Sequence, residues 1–349
     1  MEGTLLWIVE LEKSVFFMKT RLSLGSAVLL GLKKAKCDVL PTTVYIMLGE
    51  HCTGNCSFCA QTIFKKREKR KGKDGYLSRV VWPVFPFEKI LDGLYLNKGK
   101  YRRICFQCLN YKMMLRDLKR SVRDIKKAGI EVPVSVSSVP VKKEDMLELK
   151  KMGVSQMTFS LDAATEEIFN KIKGSERGGV FTWGDYLKAL QESREIFGRA
   201  LTHLIVGLGE TDKDIFKLVD ALHREGIFVS LFAFTPLEKK VGKAPDPVRY
   251  HIIQLFTWLI YKGFVKVHDM KFQRDGNLLF GGISYKEIIK RLNSGEEWLL
   301  KVFNTSGCEG CNRPFYNEKP SGPIYNYAKT PEKDVVVTIL KEIKRRGII

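Results

Sequence analysis

The sequence has few histidines and no long apolar run. Among its 349 residues are 5 histidines, against 59 lysines and arginines and 39 aspartates and glutamates. No stretch reaches the roughly 18 to 20 apolar residues that cross a bilayer, so we expect no membrane attachment. The first residues, MEGTLLWIVELEKSVFF, lack the basic-then-apolar order of an export signal. We therefore expect a cytoplasmic protein.

The sequence also lacks a short fixed-period repeat, a low-complexity tract and an attached RNA-binding domain. Its formal net charge is +20. One interpretation is the Lys- and Glu-rich surface of a protein from a thermophile, and another is a patch for nucleic acid or an acidic protein. We favour the first, because most charges fall on exposed helix faces, and a nucleic-acid partner ranks lower. The segment KKREKRKGK, residues 65–73, holds seven basic residues and one acid, and it could still dock an acidic partner.

Apolar β-rich runs alternate with amphipathic stretches along most of the chain. This pattern predicts an α/β fold with a parallel sheet, either open or closed as a partial or full TIM-like barrel. We expect an N-terminal extension (1–40), a barrel (41–280) and a C-terminal segment with a final helix (281–349). One or two further strands are expected within 264–272 and 277–282, followed by an extended tail and a helix at 331–346. The six predicted barrel strands are 42–48, 102–109, 132–138, 156–162, 201–207 and 228–234.

Three cysteines directly follow the first predicted strand, where an α/β barrel places its active-site loops. Cys52, Cys56 and Cys59 have the spacing C-x3-C-x2-C in HCTGNCSFCAQ. Structural zinc sites usually show two Cys pairs or a Cys and a His pair, and an odd number of reduced thiols argues against disulfides. Each iron of a four-iron cluster usually takes one thiolate, so three cysteines leave one iron open for a small molecule.

This spacing, with the aromatic Phe58 before the last cysteine, resembles the radical S-adenosylmethionine (SAM) enzymes. The resemblance implies a barrel of the radical SAM type in which the three cysteines hold a [4Fe-4S] cluster. It also implies that the open iron binds SAM and that an electron from the cluster releases a 5′-deoxyadenosyl radical. The likeness covers roughly residues 40–280, and CSFCAQ and LDAATEEIFNKIKG are similar to the biotin and lipoyl synthase branch.

The resemblance implies further SAM-binding residues. Ser160 and Asp162 in FSLDAAT occupy positions that hold the ribose in biotin synthase, although Asp162 could instead cap the helix that follows. Gly207 and Gly209 in LIVGLGET resemble the glycine motif near the adenosyl group, where glycine permits a close backbone approach.

Five cysteines remain, and three of them predict a second metal site. Cys37 lies fifteen residues before Cys52, as the last cysteine of the lipoyl synthase extension does, and the tail contains the pair Cys308 and Cys311. A tail folded over the barrel would bring these three together as ligands of an auxiliary cluster. The further ligand stays open among Ser306, Ser321, Arg313, Cys105 and a non-protein sulfur. A zinc site or a redox pair is the alternative for GCEGC, and a small apolar core residue is the alternative for Cys105 and Cys108.

The chain is most similar to one component of the archaeal two-protein lipoyl synthase. That resemblance implies sulfur insertion into an octanoyl chain on a lipoyl carrier protein, a second radical SAM protein as partner, and an electron donor such as ferredoxin. Biotin synthase carries cluster cysteines on its third and fifth strands, where this chain has none. Three alternatives remain: a biotin-synthase-like sulfurtransferase on a free small molecule, a radical SAM enzyme that modifies RNA, and a non-catalytic metal-binding scaffold.

Overall fold

The computed structural model describes residues 19–65, 75–236, 242–319 and 321–349. The strands in these ranges are β1 (Lys19–Leu22), β2 (Thr43–Leu48), β3 (Gly75–Leu77), β4 (Val80–Trp82), β5 (Val84–Pro86), β6 (Arg103–Cys108), β7 (Val134–Ser138), β8 (Val154–Phe159), β9 (Ala200–Val206), β10 (Ile227–Ala233), β11 (Lys271–Phe272) and β12 (Leu278–Phe280). The α-helices are α1 (Leu24–Leu29), α2 (Ala60–Lys65), α3 (Phe87–Leu96), α4 (Met114–Lys127), α5 (Lys143–Lys151), α6 (Glu166–Ile172), α7 (Trp183–Phe197), α8 (Asp212–Arg224), α9 (Pro247–Tyr261), α10 (Tyr285–Asn293) and α11 (Lys333–Arg345).

The main sheet confirms the predicted α/β architecture. Its strand order is β10-β9-β8-β7-β6-β2-β1-β5, in which β2 and β6 to β10 run parallel. β1 joins β2 and β5 in antiparallel pairs, so part of the segment predicted as an extension belongs to the sheet. All six predicted barrel strands are present, and together with β1 and β5 they form a partial barrel whose edge strands are β10 and β5.

Local sequence explains why the helices between the strands begin where they do. Thr182 and Asp185 form a reciprocal capping box at the start of α7, and Thr211 and Asp214 form another at the start of α8. Asp246 is the N-cap that precedes helix α9, and its side chain accepts from the Arg249 N–H. Because the helices pack against one face of the parallel strands, the inward-facing side chains of those strands line the interior of the partial barrel.

The gap beyond β10 is filled by residues 304–317, termed the tail segment. The N–H of Leu231 on β10 donates to the Ser306 hydroxyl at 2.8 Å. At the start of β2, the Thr42 N–H donates to the Asn312 side chain at 3.0 Å. The tail segment therefore connects the last parallel strand with the first and covers part of the open edge of the sheet.

The C-terminal third is more regular than the sequence indicated. The two doubtful strands form the β11–β12 antiparallel hairpin, and the final helix is present as α11. A 3₁₀ turn, Glu297–Lys301, occupies a stretch predicted as extended tail. No helix of the described residues is long and apolar enough to cross a membrane.

Candidate functional site

The loop that carries the cysteine triad is held from two sides. The Thr53 N–H donates to the Asn110 carbonyl at 2.7 Å, beyond the end of β6. On the other side, the Ser57 N–H donates to the Ile172 carbonyl at 2.8 Å. The Arg177 guanidinium also donates to the Asn55 carbonyl, at 3.0 Å. These contacts, two of them between backbone groups, hold the loop against the end of β6 and against the residues that end and follow α6.

The thiols of the triad lie close to each other in a buried setting. Burial raises the pKa of Cys56 to about 11, an effect that the positive charge of Lys173 partly opposes. Burial and the neighbouring Cys56 thiol raise the pKa of Cys59 to about 12. A Cβ added at Gly54 would lie 3.3 Å from the Cys52 Sγ, so glycine keeps open the space beside the thiols. Without metal the Cys56 and Cys59 thiols are protonated at neutral pH, and cluster assembly must release their protons.

The donor set suits a cluster better than one metal ion. In the ranges that the structure describes, no group of three His, Cys, Asp or Glu side chains converges as a single ion requires. A four-iron cluster has no such requirement, because each iron takes its own thiolate and the ligands stand apart. Three neighbouring thiols on one preformed loop, with a glycine that leaves room, fit such a cluster.

The cysteine loop opens onto a cavity of about 440 Å³ inside the partial barrel. Phe58 and Cys59 lie in its wall, whereas Cys52 and Cys56 do not. Aromatic and aliphatic side chains supply much of the remaining wall, among them Leu77, Val80, Trp82, Leu201, Ile205, Phe232 and Phe234. The cavity is therefore suited to an apolar molecule placed against the cysteine loop.

A second group of cysteines lines the same cavity, namely Cys37, Cys105, Cys308 and Cys311. Burial and then the nearby Cys308 raise the pKa of Cys105 to about 12. Burial and then Cys311 raise the pKa of Cys308. The Cys311 N–H donates to the Cys308 carbonyl at 2.9 Å, which makes a tight turn. The structure thus brings the tail pair beside Cys105 and into one cavity with Cys37.

Arg313 is a cation of the tail segment that faces the cavity. Its guanidinium lies over the Phe232 ring, 3.8 Å from the ring centroid, and donates to the Ser230 hydroxyl at 3.0 Å. It also donates to the Ser306 carbonyl. No carboxylate of the described residues forms an ion pair with Arg313, so it supplies positive charge beside the second group of cysteines.

The two predicted ribose-binding residues lie in the cavity wall. Asp162 has a positive φ of 65° and accepts a 2.7 Å hydrogen bond from Lys173. It does not cap the next helix, because Thr165 caps α6 through the Ile168 N–H. Ser160 lies 2.7 Å from Nδ1 of His203. Asp162 is therefore a cavity residue with a buried cationic partner.

His203 is a cavity residue that the sequence analysis missed. It lies between Leu201 and Ile205 on β9, and all three side chains line the cavity. Burial, together with the positive charges of Arg313 and Lys173, lowers the pKa of His203 to about 3. The side chain is therefore a neutral imidazole, which can donate one hydrogen bond and accept another. Its signal in the sequence was the period-two alternation of β9.

The two glycines of LIVGLGET differ in their surroundings, and neither lines the cavity. A Cβ at Gly207 would lie 2.3 Å from the Lys243 carbonyl oxygen, so this glycine permits close approach of the chain itself. Around Gly209 nothing lies within 4 Å of an added Cβ. The Glu210 carboxylate, also missed from sequence, accepts from the Gly207 and Leu208 N–H groups, both at 2.8 Å. Packing within the chain therefore already requires a glycine at position 207, and the approach of Gly207 and Gly209 to the adenosyl group stays a prediction.

Three further residues considered in the sequence analysis, Ser321, Ser306 and Cys108, are not part of the cavity wall. Ser321 is exposed and outside the cavity, so the structure does not place it for the ligand role considered from sequence. The Ser306 side chain is engaged with β10, as described above. Cys108 packs with the main hydrophobic core. Of the basic segment, residues 66–73 lie outside the described residues.

Comparisons with known proteins agree with this geometry. The model of the radical SAM superfamily matches residues 46–222. A biotin synthase of Hydrogenobaculum sp. is 27% identical over 225 residues, which are 60% of this chain and 61% of the relative. A biotin synthase of Sulfurihydrogenibium sp. is 26% identical over 254 residues, 66% of this chain and 70% of the relative. An uncharacterized RNA methyltransferase of Protochlamydia amoebophila is 28% identical over 120 residues, 34% of this chain and 26% of the relative.

Among solved structures, methylornithine synthase is similar over 63% of this chain and 62% of that protein, with a TM-score of 0.48 and 13% identity. The FeFe-hydrogenase maturase of Carboxydothermus hydrogenoformans is similar over 64% of this chain and 52% of the maturase, with a TM-score of 0.47 and 15% identity.

The superfamily model covers half of the chain and includes the whole cysteine triad, so the chain belongs to the radical SAM superfamily. Membership implies a [4Fe-4S] cluster and SAM, which the triad and the adjoining cavity can accommodate. The chain spans about 61% of the length of the first biotin synthase relative.

Proposed function

We propose that this chain inserts sulfur into a protein-bound octanoyl chain, as one component of a two-protein lipoyl synthase. The observation that carries the proposal is the pair of cysteine groups on one apolar cavity, with Cys59 of the loop in its wall and Cys37, Cys105, Cys308 and Cys311 elsewhere in the same wall. A radical enzyme that joins carbon to sulfur needs both a radical source and a sulfur source near one substrate.

In this proposal the cysteines hold two clusters, and other cavity residues bind SAM and exclude water. Cys52, Cys56 and Cys59 would hold the [4Fe-4S] cluster, and Cys105, Cys308, Cys311 and Cys37 would hold an auxiliary cluster. When bound, the first cluster with SAM would supply a carbon radical that removes a hydrogen atom from the substrate, and the second would supply a sulfide to the resulting carbon, its iron accepting the electron released as the carbon–sulfur bond forms. Asp162 and Ser160 offer oxygen atoms for the ribose hydroxyls of SAM. Aromatic side chains such as Trp82 and Phe232 keep water from the reacting carbon.

The cavity wall and the overall charge support the proposed substrate class. An octanoyl chain carries no charge and buries well against aliphatic and aromatic side chains. Its carrier domain is expected to be acidic, and a chain with a net charge of +20 attracts acidic partners. A second radical SAM protein and an electron donor such as ferredoxin complete the proposed system.

A second candidate is sulfur insertion into a free small molecule, which the biotin synthase relatives favour. Against it, two of the four cysteines of the second group come from the tail segment, and β7 and β9 carry no cysteine. RNA modification rests on a match of 120 residues only. A metal-binding scaffold would bind iron without cleaving SAM.

The test is anaerobic turnover of the reconstituted protein with an octanoylated carrier peptide and, separately, with dethiobiotin. Each reaction is run alone and with the candidate partner protein, and products are identified by mass spectrometry. We expect thiolated octanoyl peptide and 5′-deoxyadenosine. Thiolated dethiobiotin instead would favour the second candidate, and absence of 5′-deoxyadenosine under dithionite would leave only the scaffold.

A further inference from the structure

Tyr45 on β2 is placed to donate a hydrogen bond to a cysteine of the second group. Its hydroxyl lies 3.2 Å from the Cys311 Sγ. The same oxygen accepts a hydrogen bond from the Arg313 N–H at 3.2 Å. A phenol has one proton, and the backbone N–H must be the donor in the contact with Arg313. The proton of Tyr45 is therefore available for the Cys311 sulfur, and once Cys311 is a metal-bound thiolate without a proton, Tyr45 must be the donor in this contact.

Cys105 has a comparable donor on its own strand. The Gln107 side-chain amide donates from Nε2 to the Cys105 Sγ at 3.1 Å. Tyr45 and Cys105 are direct neighbours in the β2–β6 pairing, and Tyr45, Cys105 and Gln107 all line the cavity. Two neutral donors on adjacent strands are thus directed at two sulfurs of one cysteine group.

The chemistry of sulfur decides what such donors do. A thiol sulfur is a weak acceptor, whereas a thiolate or a metal-bound sulfur carries negative charge and gains more from a donor. Hydrogen bonds to ligating sulfurs are one of the means by which proteins set the reduction potential of iron–sulfur groups. They stabilise the more negative, reduced form most, and so they raise the potential.

We propose that Tyr45 and Gln107 are positioning residues that hold Cys311 and Cys105 as cluster ligands and raise the reduction potential of the auxiliary cluster. This inference rests on the proposed function, because it requires a cluster at the second cysteine group. Neither residue contacts the substrate in this role, and each acts only through its cysteine.

The test compares the full-length reconstituted protein with Tyr45→Phe, Gln107→Leu and the double variant. Tyr325→Phe is the matched control, because Tyr325 is another buried tyrosine whose hydroxyl donates one hydrogen bond, to the Pro245 carbonyl at 2.9 Å. Iron and acid-labile sulfide are counted, and midpoint potentials are measured by redox titration with electron paramagnetic resonance. Addition of SAM distinguishes the cluster that binds it from the auxiliary one.

We expect about eight irons per chain in the parent and in both single variants, as two four-iron clusters require. The auxiliary potential should become more negative in each single variant and most negative in the double variant. The potential of the SAM-binding cluster, and both potentials in Tyr325→Phe, should not move.

The outcomes separate this inference from the function on which it rests. Eight irons with an unchanged auxiliary potential in both single variants would overturn the roles of Tyr45 and Gln107 and leave the proposed function intact. Only about four irons in the parent would overturn both, since the second cluster would be absent. If Tyr45→Phe does not fold, the auxiliary midpoint potential of Gln107→Leu alone tests the inference.

Discussion

The ammonium group of Lys173 lies 2.7 Å from the Asp162 carboxylate, and it also donates to the Ser160 carbonyl at 2.6 Å. The side chains of Lys173 and Asp162 are only 8% and 12% exposed. Burial lowers the pKa of Lys173, but the Asp162 carboxylate together with the nearby Tyr186 and Cys56 side chains outweighs burial, so the pKa lies above its usual value. Burial raises the pKa of Asp162, and the positive charge of Lys173 opposes that rise. Lys173 therefore stays charged and holds the Asp162 carboxylate in place beside the cavity.

Replacing Lys173 by Met should destabilise the protein strongly, because Asp162 would be left buried without its partner. Loss of one member of a buried ion pair typically costs about 3 to 5 kcal/mol. The measurement is the free energy of unfolding in urea, with metal-free protein. Lys171→Met is the matched control, since Lys171 forms an exposed, solvent-screened pair with Glu167 and its loss should change stability far less. Equal losses in the two variants would show that the buried pair contributes no more than a surface pair.

Removing the tail cysteines should halve the iron content. The double variant Cys308→Ala, Cys311→Ala should fall from about eight to about four irons per chain and still form 5′-deoxyadenosine, because the cluster of the triad is untouched. Cys108→Ala is the control, since Cys108 packs with the core outside the cavity. Iron analysis after anaerobic reconstitution makes the measurement. Full iron content in the double variant would rule out the tail pair as ligands.

Acid should destabilise the fold through His251 of α9. Burial lowers the pKa of this side chain from 6.5 to about 4. Between these values the unfolded chain binds a proton that the folded protein does not, so stability falls as pH falls from about 6.5 to 4. The loss at pH 4.5 relative to pH 7 is about 2 kcal/mol from this group. Denaturant titrations of metal-free protein and of His251→Phe at both pH values should show a smaller decrease in the variant, and identical pH dependence would contradict this origin.

The two glycines of the LIVGLGET stretch should respond differently to alanine. Both have φ near +114°, so each substitution carries backbone strain of about 1 kcal/mol or more. Only at Gly207 does the new methyl group also meet a backbone atom, the Lys243 carbonyl oxygen. We expect Gly207→Ala to be less stable than Gly209→Ala by at least about 2 kcal/mol. The measurement is thermal unfolding of the two variants under the same conditions. Equal stabilities would contradict the packing role of Gly207.

The sequence predicted the six parallel strands because each is a short apolar run before an amphipathic helix. It did not predict β1, since KTRL is too short and too polar for such a signal, and this strand depends on its pairing with β2. The cysteine triad was recognised because its ligands are local. The second group could not be assembled in the same way, because its members come from positions 37, 105, 308 and 311, and only the fold brings distant residues together.

The position of one cysteine of the second group could nevertheless have been predicted from the sequence. In β6 the residues Arg103, Cys105 and Gln107 share one face of the strand, and Cys108 lies on the opposite face. The alternation could therefore have assigned Cys105 to the interior and Cys108 to the helix-packed core. Tyr45, by contrast, gave no signal, because an aromatic residue in a strand is ordinarily core.

The tail segment has a consequence for how the protein is made. Its Asn312 side chain meets the Thr42 N–H across 270 positions of sequence. During synthesis, a chain that has emerged only as far as β10 already has the loop of Cys52, Cys56 and Cys59, but its interior still lacks the wall that residues 304–317 provide. The second group of cysteines is accordingly complete only close to the end of translation or after it, later than the cysteine loop.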